Sequence, residues 1–198
     1  MLETLILRHF ALSFFAIVLA FAVQIHLILP VERLLRLDSN ADIVSLMFIP
    51  HGIKIALLLM FGMTVLPAVF AAQFLIGFLM SDSHLFDANN VLAAAAGTLC
   101  LAIPLAFHNL SFRKPIRSAP MFDGEKNTNN LWLFISFAFA ASVLNSLFHS
   151  ALNGFKIVSL PWMYLFGDVS GAISVFIILT FIFRPLIITF LRRRADYD

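Results

Sequence analysis

The chain has 198 residues, of which 61% are hydrophobic and only 12% charged, and its mean hydropathy is +0.96. A soluble domain is roughly 45–50% apolar and about 25% charged, and a chain this small cannot hide the excess in a core of its own. The composition excludes a soluble globular domain, a disordered chain and a nucleic-acid binder. It predicts an all-α, polytopic membrane helix bundle in contact with the lipid bilayer, with room for about six spans of ~20 residues.

Apolar runs place the spans at about 10–29, 43–62, 64–80, 88–107, 131–152 and 163–190. The first follows Arg8 and contains Ala20-Phe21-Ala22, which looks like a cleavage site, but it continues apolar to Pro30 and is therefore read as a retained span. Val31 to Asp42 mixes leucines with Glu32, Arg33, Arg36 and Asp38, and reads equally as an interfacial helix or a polar connector. The second and third spans are separated by almost nothing, around Gly62–Thr64. Segment 109–130, rich in Asn, Pro and charge, is expected to be a cytoplasmic loop.

The net charge of +2 marks topology and not a polyanionic partner. With both termini inside, the cytoplasmic segments hold Arg8, Arg113, Lys114, Arg117, Lys126 and Arg192 to Arg194. The outer loops then hold only Arg33, Arg36 and Lys156. This asymmetry predicts six crossings with cytoplasmic N- and C-termini. Trp132, Trp162 and Tyr164 fall at span ends, where amphipathic rings prefer the headgroups.

Polar residues inside apolar spans are costly and so are functional candidates. Under this topology His26, His51, Lys54, His149, Asn153 and Asp168 share the outer third of the bilayer, whereas Gln73 and Arg184 lie apart, toward the inner side. Pro50 and Gly52 should break the second helix or begin it, presenting free N–H groups. His51 and Lys54 are three residues apart and share a face, so with the helix start they could cradle an anion. The plainer reading is a proline kink with Lys54 neutralised by Asp168, the expected partner of an otherwise isolated carboxylate. Asn145, His149 and Asn153 recur every four residues along one face, which either lines a cavity or bonds a neighbouring helix. Gly167, Ser170, Gly171 and Ser174 would let another backbone approach Asp168.

The set His26, His51, His149 and Asp168 has imidazole and carboxylate groups but no local ligand spacing, so no metal site or cofactor is expected. Cys100 is a lone cysteine in an apolar run and reads as a small buried hydrophobe. No phosphate loop, nucleophile motif or paired catalytic carboxylates are present, and the chain is not expected to be an enzyme.

Phe48 to Phe78, FIPHGIKIALLLMFGMTVLPAVFAAQFLIGF, resembles the signature of the first type of membrane-associated sensor (MASE) domain, through Pro50, Gly52, Phe61, Gly62 and Pro67. Trp162 to Gly171, WMYLFGDVSG, is similar to that family's Gly-Asp-x-x-Gly segment through Gly167, Asp168 and Gly171. The fourth-span start at Asn89 and Asn90 and the fifth span with Asn145 follow the family's order. Ile49, His51 and Lys54 depart from its usual pattern. The resemblance covers about 43–185 and implies a ligand-sensing membrane module. Such domains usually adjoin a cytoplasmic output module, so signalling here would run through a separate protein partner.

The expected site is Pro50, His51, Gly52, Lys54, Asn145, His149 and Asp168, taking a small molecule, preferably anionic. Two other functions fit the same residues. One is the substrate-capturing subunit of a small-molecule transporter, with Ala68, Ala71, Ala72 and Gly77 as a contact face for a partner helix. The other is a structural subunit whose polar stripe is interhelical glue.

Overall fold

A computed structural model describes residues 2–35, 45–80, 87–112, 127–152, 154 and 160–183. Among these residues the chain is helical, with no strand: α1 (Leu2–Val23), a π-helical turn (Gln24–Ile28), α2 (Leu29–Leu35), α3 (Ile49–Phe61), a 3₁₀ turn (Gly62–Val65), α4 (Leu66–Met80), α5 (Ala88–Phe112), α6 (Asn127–Leu152) and α7 (Leu160–Ile178), which runs on into a π turn (Leu179–Phe183). Five of its helical stretches are long and apolar enough to cross a membrane: Ile6–Leu35, Ile49–Met80, Ala88–Leu110, Trp132–Leu152 and Tyr164–Phe181. The chain is built as a multi-pass membrane protein.

The stretch Ile49–Met80 is one run of apolar helix but does not run straight. Lys54 Nζ donates to Gln73 Oε1 at 3.3 Å, across 19 positions of sequence. A straight helix would separate those two backbones by about 28 Å at ~1.5 Å per residue, so the chain reverses between them. The reversal falls at Gly62, whose φ of 68° is open to glycine and strained for other residues. Pro67 then sits in the first turn of α4, where its missing N–H costs nothing.

The helix ends register accordingly. His9, early in α1, stacks on Phe61 at 4.5 Å and lies 3.4 Å from Thr64 at the reversal. At the other end of α1, Gln24 Oε1 accepts from Ile49 N–H at 3.0 Å, capping the start of α3. Side by side, α1, α4, α5, α6, α7 and α3 each touch the next and α3 returns to α1, closing a ring; α3 also touches α6. Ile17, Ile55, Leu58, Val69, Leu101, Phe134 and Val175 fill its apolar interior.

Several expectations are revised here. Of the two readings of Pro50 and Gly52 the structure has the helix begin there and not break: α3 starts at Ile49 with Pro50 in its first turn and continues through Gly52. Helix extends into both ends of the expected 109–130 loop, to Phe112 and from Asn127, and residues 113–126 lie outside the described ones. Ala68 and Ala72 are wholly buried in this chain's own bundle, so they offer no face to a partner helix. In the 31–42 segment, residues 31–35 are helical and Glu32 is buried while Leu34 and Leu35 are exposed; the remainder, like Asn153, Lys156 and Arg184, lies outside the described residues.

Candidate functional site

Two adjacent requirements shape the site. The first is the short non-helical stretch Ser45–Phe48, held from several sides. Glu32 Oε1 accepts from Met47 N–H at 2.9 Å and from the Ser45 hydroxyl at 2.9 Å. Gln24 Nε2 donates to Ser45 Oγ at 2.8 Å. Phe48 N–H donates to the Gly167 carbonyl at 2.8 Å, and the Ser170 hydroxyl donates to the Leu46 carbonyl.

The second requirement is close approach of α7. A Cβ at Gly171 would run into the backbone of Phe48, one at Gly167 into the Ser45 carbonyl, and one at Gly52 would lie 2.8 Å from both Ala172 Cα and the Gly171 carbonyl. The small residues of α7 thus bring a second backbone beside Asp168, as their spacing predicts.

Next to this packed seam lies a cavity of about 330 Å³. Its polar lining comes from Gln24, Ser45, Lys54, Gln73, Asn145, His149, Tyr164 and Asp168, and its apolar walls include Phe21, Leu29, Phe48 and Ile76. Lys54 and Asp168 are each 1% exposed. The Asp168 Oδ2 accepts from Asn145 Nδ2 at 2.7 Å. His51 is fully buried behind it, with Nδ1 3.7 Å from Asp168 Oδ2 and Nε2 3.3 Å from the Ser142 hydroxyl. His149 stacks on Tyr164, ring centroids 5.1 Å apart.

The sequence-predicted residues therefore divide. Lys54, Asn145, His149 and Asp168 line the cavity; His51 supports it from behind; Pro50 starts α3 and Gly52 is a packing position. His26 is on the exposed side of its π turn and does not join them. Among the described residues, no three of His, Cys, Asp and Glu gather to hold a metal ion.

The expected Lys54–Asp168 ion pair is not formed. Among the described residues no ammonium or guanidinium pairs with Asp168, whose basic neighbour is the His51 imidazole with Nδ1 at 3.7 Å, while the ammonium of Lys54 turns to Gln73. Gln73 was expected on the inner side; the reversal at Gly62 lays α4 back alongside α3, and the side chain of Gln73, eleven residues after the turn, meets that of Lys54, eight residues before it. Compared with known proteins, the chain matches no family model, no curated protein and no solved structure.

Gln24 was missed for a different reason. It lies near the end of the first span, where a lone amide reads as an interfacial residue. The π turn after Val23 is the local feature that accompanies its burial, and such turns often mark functional positions.

Proposed function

We propose that the chain is a six-span module of the bacterial inner membrane, both termini cytoplasmic, that binds a small molecule in this cavity and passes the change to a separate protein partner. It is then a MASE-like sensory or accessory subunit, and the cavity opens in the outer third of the bilayer. One observation carries the reading: a buried ammonium and a buried carboxylate line the same space without an ion pair between them. Isolated buried charges are costly, and membrane proteins keep them where they serve a substrate or ion. A purely structural subunit would gain from closing that gap.

The reversal at Gly62, beside the start of α1, supports counting Ile49–Met80 as two crossings. Six crossings return both termini to one side, in line with the Lys and Arg distribution. The strap Ser45–Phe48 touches α1 through Phe21, the π turn through Gln24, α2 through Glu32 and α7 through Gly167, so a guest pressing on Phe48 would act on all of them. That gives binding a mechanical output without an enzymatic step.

The test is thermal unfolding of the purified protein across small carboxylates, amino acids and phosphates, beside Lys54→Ala. The expected result is a rise in midpoint of several degrees with at least one solute, lost in the variant. No shift with any solute, or a shift that Lys54→Ala retains, overturns the reading.

A further inference from the structure

The charge pattern of the cavity specifies its guest more narrowly than an anion. Lys54 has three N–H donors, and its one hydrogen bond among the described residues goes to Gln73 Oε1. With that oxygen turned to the lysine, Gln73 Nε2 is left buried with no hydrogen-bond partner among the described residues. The amide packs against α5 at Gly97, where any Cβ would strike it. One wall of the cavity thus carries an ammonium and an amide whose N–H groups have no acceptor among the described residues, a pair suited to a carboxylate or similar oxyanion.

The opposite pole is Asp168. Its Oδ2 takes one neutral hydrogen bond, from Asn145, and the nearby His51 Nδ1 stands beyond hydrogen-bond reach at 3.7 Å. Lys54 and Asp168 together bring no net charge to the cavity. A guest with only an anionic group would satisfy Lys54 and be repelled by Asp168; a guest with only an amine would meet the reverse. Between groups this deeply buried either mismatch is poorly screened.

We propose that the cavity takes a small zwitterionic organic molecule, its anionic group on Lys54 and Gln73 and its cationic group on Asp168 and Asn145. This rests on the receptor reading above and sharpens it. The walls of Phe21, Leu29, Phe48 and Ile76 accept the carbon skeleton between the poles. At about 330 Å³ the space is at the small end of ligand sites. Neither charge then needs a permanent partner inside the protein, because the guest supplies both.

The probes are straight-chain ω-amino acids from glycine to 6-aminohexanoate, which vary the distance between poles, each paired with its carboxylate-only and amine-only analogue. Binding to the full chain in lipid nanodiscs is followed by calorimetry. At least one ω-amino acid is expected to bind ten times or more tighter than both of its one-charge analogues. Asp168→Asn should reduce that preference to threefold or less. Gln73→Glu, which gives Lys54 a built-in carboxylate, should weaken the ω-amino acid tenfold or more and shift preference toward the amine; it answers the question even if Asp168→Asn does not fold.

A carboxylate that binds as tightly as its ω-amino acid, in a manner that needs Lys54, overturns the zwitterion and leaves the receptor standing. ω-Amino acid binding that survives Gln73→Glu unchanged also overturns it. No binding by any probe removes both readings.

Discussion

The two sides of α3 are built on opposite principles. Gly52 and Lys54 are two residues apart, about 200° around the helix, so they face different neighbours. Through Gly52, α3 meets α7 with no room for a single added carbon. Through Lys54, it meets a cavity where charges stand apart and an amide donor is unused. At Gly52 shape is decisive; the open side tolerates expensive polar groups and leaves Lys54 and Asp168 without an ion pair between them. A helix anchored firmly on one side can hold such groups in place on the other, which is the requirement for a preorganised binding site.

Substitutions should separate the two sides by size of effect on folding. The largest loss is expected on the packed side. Gly171→Ala drives a methyl into the backbone of Phe48, which cannot step aside as a side chain can; the unfolding free energy in detergent should fall by about 1–3 kcal/mol or more. Gly77→Ala is the control, since its added carbon meets only the side-chain amide of Asn90, and its midpoint should stay close to that of the parent protein.

Next comes the strap. Gln24→Ala would strip Ile49 N–H of its cap and leave Ser45 short of one donor. A loss of roughly 1–3 kcal/mol is expected for buried groups left unsatisfied, read as a lowered unfolding midpoint together with faster amide exchange at residues 45–49. Ser142→Ala removes one long hydrogen bond to His51 and should cost only about 0.5–1.5 kcal/mol.

Much of the architecture can be read from the chain before any coordinates. The apolar runs locate the helices, and the near-absent gap around Gly62 marks the reversal, because a glycine ends α3 there and Pro67 opens α4. Asn145 and His149 of the stripe line the cavity while Asn145 also bonds Asp168 on the neighbouring helix, so both readings of the stripe apply, and the small residues around Asp168 mark a close approach. The ion pair is where sequence reasoning failed. An inventory of charged residues contains one lysine and one aspartate at similar depth, and pairing them is the obvious economy. A neutral third residue, Gln73, takes the lysine instead. Gln24 escapes notice because it is buried within a π turn, which hydrophobic periodicity does not register.

The smallest expected change in stability is also the most telling. Lys54→Met keeps the aliphatic stem and deletes the charge, and its unfolding free energy can be measured in detergent without added solutes. If the ammonium is held ready for a guest and contributes nothing as a counter-ion within the fold, the variant should lie within about 1 kcal/mol of the parent or above it, as replaced buried charges often do. A loss of roughly 3–5 kcal/mol, the mark of a severed buried ion pair, would mean that the lysine belongs to the scaffold and that the space beside it was never kept for anything.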